Sequence, residues 1–187
     1  MIEAEVKARI RYPERVQALL RSRAAERLSR YRDTYYDRPG RPLTQSGQEL
    51  RLRVVDTDGQ RRSLLTYKAP AVDQKTGSKP ETEIEVSDAR GADEILLALG
   101  FSHLVAFAKN CANYSFTAAG RDILATLVTV PELDGTFIEI ETLTADPDDV
   151  GPAIAAVRAV LGELGIASDD LTTELYTDAV MRARQKA

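Results

Sequence analysis

The sequence contains one cysteine, one histidine and no tryptophan among its 187 residues. Because Cys111 is alone, an internal disulfide and a cysteine-rich zinc site are excluded. The single histidine, His103, argues against a histidine-based metal centre and against serine–histidine catalysis. Any metal bound by this protein is therefore expected to have oxygen ligands.

The chain also lacks an excess of positive charge and long apolar runs. It has 25 Lys and Arg against 29 Asp and Glu, a net charge of -4, so it has no broad basic surface of the kind that binds nucleic acid. No stretch reaches the roughly 18 apolar residues of a membrane span, and the early charges Glu3, Glu5 and Lys7 argue against a signal peptide. We therefore predict a cytoplasmic protein with one domain over residues 1–187, without nucleic-acid or membrane partners.

The first ten residues alternate strictly between apolar and charged side chains. Such a period of two predicts a strand with Glu3, Glu5 and Lys7 on one face and only aliphatic side chains on the other. Two carboxylates followed by an ammonium can hold a cation beside a polyanion such as a phosphate chain. The alternative is an amphipathic strand whose charged face is simply solvated.

Patterns of two and of 3.6 residues predict about eight strands and helices at the start, middle and end of the chain. The segments with strand patterns are residues 1–10, 26–37, 49–57, 61–68, 81–87, 101–109, 113–118, 122–130 and 135–142, of which 101–109 and 113–118 are less clearly patterned than the earlier ones. The predicted helices are residues 13–23, a segment capped by Ser87 or Asp88 and closed by Gly100, residues 147–164 and residues 172–184. Asp58-Gly59 predicts a hairpin, and residues 69–80 predict a polar loop.

Short connections between consecutive strands favour antiparallel pairing over a parallel sheet. Several strands carry charges on one face and aliphatic side chains on the other. An open sheet would leave these acids and bases scattered in solvent, whereas a closed barrel would gather them in a lumen and place the aliphatic side chains outside, under the helices. We therefore predict an α+β fold, a closed eight-stranded antiparallel barrel whose lumen binds an anion and a metal.

Five motifs in order carry a resemblance to a known family. They are E-x-E-x-K at residues 3–7, D-T-Y-Y-D with G-Q-E-L-R-L-R-V at 33–54, L-T-Y-K-A-P at 65–70, E-I-E-V at 83–86 and F-I-E-I-E at 137–141. Together they resemble the CYTH or triphosphate tunnel metalloenzyme superfamily, nearest to the class IV adenylyl cyclases. The resemblance implies a barrel that binds a triphosphate. Members of this superfamily cyclise ATP, hydrolyse inorganic or thiamine triphosphate, or process RNA 5′ ends. The resemblance further implies a homodimer.

The resemblance also implies roles for individual residues. The ligands of Mg²⁺ or Mn²⁺ would be Glu3, Glu5, Glu139 and Glu141. The groups that bind phosphate would be Lys7, Arg51, Arg53, Lys68 and Lys109, with Glu83 and Glu85 as further substrate-binding groups and Glu3, Glu5 and Lys7 as catalytic residues. The alternative for the arginines is pairing with Glu83 and Glu85 on a solvated sheet, worth at most about 1 kcal/mol per pair.

Three positions depart from the family pattern. Glu81 stands where an arginine is usual, with Lys79 as a substitute two positions earlier; the usual K-x-R at 109–111 ends in Cys111; and Val128 replaces an aspartate. These losses predict weaker triphosphate binding, and the missing carboxylate argues against a second bound metal ion. The chain would then act on another organophosphate such as a diphosphate, or would have lost turnover.

The leading hypothesis is a metal-dependent enzyme acting on a nucleoside triphosphate or a related organophosphate. In a cyclase the ribose 3′-hydroxyl attacks the α-phosphorus and pyrophosphate leaves, whereas in a hydrolase water attacks the terminal phosphorus. The alternatives are a divergent biosynthetic enzyme for another phosphate or diphosphate, a non-catalytic phosphate-binding or nucleotide-binding module, and a purely structural barrel. Cys111 is interpreted as a packed thiol and His103 as a surface or strand-end residue.

Overall fold

The computed structural model describes residues 1–72 and 77–186. The strands are β1 (Ile2–Ile10), β2 (Arg27–Asp37), β3 (Glu49–Thr57), β4 (Gln60–Lys68), β5 (Lys79–Val86), β6 (Ser102–Ala118), β7 (Arg121–Thr129) and β8 (Thr136–Thr144). The helices are α1 (Pro13–Arg21), α2 (Pro42–Gln45), α3 (Ala89–Ala98), α4 (Val150–Glu163) and α5 (Tyr176–Arg184). The strands form a closed barrel in the order β1-β5-β4-β3-β2-β6-β7-β8, every pair antiparallel, which confirms the predicted α+β barrel.

The barrel closes at its first strand. β1 pairs with β8 from Ile2 opposite Thr144 to Ile10 opposite Thr136, and it pairs with β5 at its beginning. This register places the acid-rich segments from the two ends of the chain side by side, with Glu5 directly opposite Glu141. The charged side chains of both strands therefore share one part of the lumen.

The apolar face of β1 forms the main core, outside the barrel. Ile2, Val6 and Ile10 are buried in a cluster that includes Leu20 of α1 and Val157 of α4. Burial of such aliphatic side chains stabilises the fold by about 1.5–3 kcal/mol each. The helices thus cover the aliphatic outer face, as the alternating pattern predicts.

Two local signals act as expected. Asp58 and Gly59 have φ values of 53° and 78°, the mirror-image turn whose twist matches a β-hairpin, and they join β3 to β4. The Asp88 side chain accepts a hydrogen bond of 2.9 Å from the Arg90 amide and caps α3.

The division of residues 101–118 into two strands is wrong, because β6 is one continuous strand. Residues 110–112 were the predicted break, yet Asn110 pairs with Arg30 of β2 on one side and Thr129 of β7 on the other. With a partner strand on both edges, every backbone group there has a ladder partner, so the weak side-chain pattern does not interrupt the strand.

The helical ends also differ from the prediction. α5 begins at Tyr176 rather than at residue 172, because the preceding segment is extended and docks on β1. Leu171 bridges to Ala8, and the Thr172 amide donates a 2.9 Å hydrogen bond to the Lys7 carbonyl. A short 3-10 helix, Pro147–Asp149, precedes α4, and the short helix α2 was not predicted.

The predicted loop at residues 69–80 includes residues 73–76, which lie outside the described residues, while β5 already begins at Lys79. Among the helices of the described ranges, none is both long and apolar enough to cross a membrane.

Candidate functional site

The barrel encloses a cavity of about 500 Å³ lined by both acids and bases. Ten of the eleven predicted site residues line it: Glu3, Glu5, Lys7, Arg51, Arg53, Lys68, Glu83, Lys109, Glu139 and Glu141. The exception is Glu85, which lines the adjoining opening together with Arg27, Arg61 and Arg62. The acids are concentrated on β1 and β8 and the arginines lie on β3, so the lumen has an acidic wall and a basic wall.

Three of the four predicted metal ligands form one group. Carboxylate oxygens of Glu3, Glu5 and Glu141 lie within 4.8 Å of one another. The spacing follows from the sheet, because Glu3 and Glu5 share a face of β1 and Glu141 is the cross-strand neighbour of Glu5. Three carboxylates at this spacing are a donor set suited to a hard divalent cation such as Mg²⁺ or Mn²⁺.

The electrostatics of this group favour added positive charge. Burial, together with the nearby charges of Glu139 and Glu3, raises the pKa of Glu5 to about 7. Burial, together with Glu3 and Glu5, raises the pKa of Glu141 well above its ordinary value. Burial opposes ionisation of Glu3 as well, but the Lys68 ammonium outweighs it and lowers the pKa of Glu3 to about 2. Without a further cation, the three carboxylates repel one another in a site of low dielectric.

Glu139, the fourth predicted ligand, has different neighbours. Its Oε1 lies 3.7 Å from Lys109 Nζ, and its side chain is only 17% exposed. Burial opposes its ionisation, but Lys109 and Lys7 lower its pKa. Glu139 therefore neutralises the two lysines, and it lies outside the group of three carboxylates.

The arginines of β3 have partners that sequence patterns did not predict. Arg53 Nε and Nη2 each donate a 2.7 Å hydrogen bond to Asp33, a bidentate pair with a fully buried carboxylate. Arg51 lies 3.8 Å from Glu83 and donates a 3.3 Å hydrogen bond to Thr66. Of the alternative pairings with Glu83 and Glu85, the described structure therefore contains only a long contact between Arg51 and Glu83, and Arg53 is paired with Asp33 instead.

Two lining or supporting acids were missed at the level of sequence. Asp33 pairs with Arg53, and Glu49 accepts a 2.6 Å hydrogen bond from Lys79. Both lie inside the motifs quoted above, and Asp33 is in phase with Tyr31 and Tyr35, which line the cavity. The period of two on β2 was therefore a usable signal for Asp33.

The C-terminal segment closes one side of the cavity. The Tyr176 ring lies between two lysines, with Lys7 Nζ 4.5 Å and Lys109 Nζ 4.2 Å from its centroid. Lys7 Nζ also donates a hydrogen bond to the Glu174 carbonyl. Burial raises the pKa of Tyr176, and the charges of Glu139 and Glu5 raise it further. No local sequence pattern indicated that this tyrosine reaches the lumen.

The three departures from the family pattern lie at two places in the fold, because two of the three residues are neighbours. Cys111 and Val128 are cross-strand partners, and both pack with Tyr176 in an apolar cluster. Their replacement of an arginine and an aspartate therefore leaves no unpaired charge. Cys111 is buried, which confirms the packed thiol, and burial raises the pKa of this thiol to about 12.

Glu81 is the second place of departure. Its Oε2 lies 3.1 Å from Lys68 Nζ, and the two residues are cross-strand partners. Lys79 does not take the place of the missing arginine, because its Nζ is bound to Glu49 and to the Gly47 carbonyl.

The interpretation of His103 as a surface or strand-end residue is confirmed, because it lies near the start of β6 with an exposed side chain. Tyr35 and Tyr36 are buried, whereas Tyr67 is exposed. His103 is half exposed, and it shares one oxygen of Asp93 with the Tyr36 hydroxyl, each at 2.6 Å.

Comparison with known proteins agrees with this fold. Residues 1–176 match the model of the CYTH domain family. A protein of Methanocaldococcus jannaschii named "Putative adenylate cyclase MJ0240" is 26% identical over 180 residues, which cover 95% of this chain and 98% of that protein.

Two solved structures extend the comparison. The PH1819 protein of Pyrococcus horikoshii superposes with a TM-score of 0.85 at 28% identity, over 96% of this chain and 98% of that one. A Hippeastrum protein, for which a dominant triphosphatase activity is described, shares the fold with a TM-score of 0.66 at 19% identity, over 97% and 96% of the two chains.

The closed barrel with acids and bases in its lumen is the architecture that the resemblance to the CYTH superfamily implied. Since the family model covers nearly all of the chain, this protein belongs to the CYTH domain family.

Proposed function

We propose that the protein is a divalent-metal-dependent enzyme that acts on a nucleoside triphosphate or a related organophosphate inside the barrel. The observation that carries the proposal is the grouping of Glu3, Glu5 and Glu141 within 4.8 Å, in the same cavity as Arg51 and Lys68. An acidic wall opposite a basic wall can bind a metal together with a polyanion. A sheet with a solvated outer face would not gather its acids and bases in one cavity.

Each wall has its own role in the proposal. Glu3, Glu5 and Glu141 would hold Mg²⁺ or Mn²⁺, and the cation would supply positive charge to neutralise the phosphate oxygens. The side chains of Lys7, Arg51, Arg53, Lys68 and Lys109 orient the phosphate chain, with Glu139 and Glu83 setting the positions of the basic groups. Of the two β3 arginines, Arg51 is the more available to an added phosphate, because one of its buried nitrogens has no hydrogen-bond partner within the described structure, whereas Arg53 is paired with Asp33.

Two reactions fit this arrangement, cyclisation and hydrolysis. In the first, the ribose 3′-oxygen bonds to the α-phosphorus as the bond from that phosphorus to the bridging oxygen of the β-phosphate breaks. In the second, a water oxygen bonds to the terminal phosphorus as the bond from that phosphorus to its bridging oxygen breaks. In both, the proton of the attacking hydroxyl group or water molecule is released to solvent. The name of the M. jannaschii relative supports the first, and the activity described for the Hippeastrum protein supports the second. Localisation in the cytoplasm and dimer formation stay predictions.

A second candidate substrate is a diphosphate or another short phosphate ester. It is favoured by the partners of the basic wall, because Arg53, Lys79 and Lys109 already face Asp33, Glu49 and Glu139. Fewer free cations suit a substrate with less negative charge.

Incubation of the purified protein with ATP and Mg²⁺ or Mn²⁺ tests the proposal. Cyclic AMP, pyrophosphate and phosphate are measured together, with Glu5→Gln as the matched variant that keeps side-chain shape and removes one charge. We expect product from the wild type and at least about 100-fold less from the variant, in the range of losing one charge-stabilising contact. Inorganic triphosphate, thiamine triphosphate and prenyl or nucleoside diphosphates are tested in parallel.

The outcomes separate the candidates. Turnover of a diphosphate but not of ATP identifies the second candidate, and tight metal-linked binding without turnover of any substrate identifies a binding module. A wild type that neither binds nor converts any of these phosphates contradicts the proposal.

A further inference from the structure

Lys68 lies beside the group of three carboxylates and is bound to one of them. Its Nζ donates a hydrogen bond to Glu3, and its side chain is only 16% exposed. The ammonium therefore already supplies positive charge at the edge of the group formed by Glu3, Glu5 and Glu141.

A divalent cation among these carboxylates would share Glu3 with the ammonium. Two cations that use one carboxylate repel each other, and the repulsion is strong here because both positions are shielded from water. Entry of a metal therefore works against the contact between Lys68 and Glu3.

A second acceptor for the ammonium is already in place. Glu81 Oε2 lies 3.1 Å from Lys68 Nζ, and within the described part of the chain this buried oxygen accepts no aligned hydrogen bond. A small rotation of the Lys68 side chain gives Glu81 a full hydrogen bond, because the two residues already face each other across β4 and β5.

We propose that Lys68 competes with the metal for Glu3, and that metal binding transfers its ammonium to Glu81, where it is free to contact an anion beside the metal. The inference rests on the proposed function, because it requires a metal at Glu3, Glu5 and Glu141. It assigns Glu81, the residue that replaces a family arginine, as the acceptor that makes the transfer favourable.

The direction of one mutational effect tests the inference. Lys68→Met removes the competing charge, so Mn²⁺ alone is expected to bind roughly 5- to 150-fold more tightly than to the wild type, the usual range of coupling between two ligands. Isothermal titration with Mn²⁺, in the absence of any phosphate, measures the affinity. Lys79→Met is the matched control, because it also removes a buried lysine from the cavity lining but one that is bound to Glu49. Its effect is expected to be clearly smaller.

Glu81→Gln supplies the opposite test and keeps Lys68 in place. The glutamine amide can still accept a hydrogen bond but carries no negative charge, so the ammonium is held less well at position 81 and stays on Glu3, and Mn²⁺ binding is expected to weaken. If Lys68→Met is too unstable to titrate without metal, Glu81→Gln still tests the inference.

Equal or weaker Mn²⁺ binding by folded Lys68→Met, or unchanged binding by Glu81→Gln, overturns the inference. If wild-type Mn²⁺ binding still depends on Glu5, such a result leaves the proposed function intact. If Glu5→Gln does not change Mn²⁺ binding, the metal lies elsewhere, and both the inference and the proposed metal site fail.

Discussion

Glu3 and Glu5 are the same residue type, two positions apart on one strand, yet their pKa values shift in opposite directions. Burial opposes ionisation of both, but Glu3 is bound to Lys68, whereas Glu5 lies near the negative charges of Glu139 and Glu3. The contrast shows that position within the lumen, more than burial alone, decides which carboxyl is ionised near neutral pH.

The raised pKa of Glu5 predicts opposite pH dependences for folding and for metal binding. Between its ordinary pKa of 4.5 and its folded pKa of about 7, Glu5 binds its proton more tightly in the folded state, so its contribution to stability is lost as pH rises through 7. Metal binding requires the ionised form, so Mn²⁺ affinity should fall about tenfold per pH unit below 7 for each proton released.

Thermal melts at pH 5.5 and pH 8, with and without Mn²⁺, measure both effects. We expect a larger Mn²⁺-induced rise in Tm at pH 8. A rise that is the same at both pH values would mean that Glu5 does not bind the metal.

At the scale of elements, β6 and β7 carry the paired departure at Cys111 and Val128. These residues face each other in an apolar cluster. The two changes together remove one positive and one negative group and therefore preserve local neutrality, whereas one change alone would leave a single added charge in this buried cluster.

Val128→Asp alone is expected to destabilise the protein by about 3–5 kcal/mol, because it puts a carboxylate into a fully buried apolar cluster. Adding Cys111→Arg should recover part of that loss by restoring an ion pair across the two strands. Urea unfolding of the wild type, both single variants and the double variant measures the coupling. Additive losses in the double variant would show that the two side chains do not meet.

Helix α5 contributes to the site through Tyr176, whose ring contacts both Lys7 and Lys109. Tyr176→Ala is expected to cost about 3–5 kcal/mol, as for other large buried aromatic residues. Tyr176→Phe should change stability by less than about 1 kcal/mol, because the hydroxyl makes no hydrogen bond of regular geometry within the described residues. Chemical denaturation of both variants measures the difference, and a Phe variant as unstable as the Ala variant would contradict this packing role.

At the scale of the whole molecule, sequence patterns predicted the features that depend on the alternation of side chains within a single strand. The alternation in β1 and β8 predicted both the apolar outer face and the acidic lumen. The neighbours of β2 were not predictable, because its pairing with β6 joins residues such as Arg27 and Asn113 that are far apart in the chain. The position of Tyr176 in the lumen depends on the same long-range packing.

The division of roles among the four acids was also beyond sequence reasoning. Glu139 and Glu141 lie in one repeated pattern, but Glu139 faces Lys7 across the sheet whereas Glu141 faces Glu5. The register between β1 and β8 alone determines which acid lies opposite which β1 residue. A slip of one strand by one residue would move all of its side chains to the other face of the sheet.

The central claim is that acids from the first and last strands together hold a metal against a phosphate inside the barrel. Crystals soaked with Mn²⁺ and a non-hydrolysable ATP analogue test it directly, through the anomalous signal of the metal. We predict a peak between Glu3, Glu5 and Glu141, bridged to phosphate oxygens that also contact Arg51. A peak outside the lumen, or phosphate bound there with no metal at these carboxylates, would contradict the account.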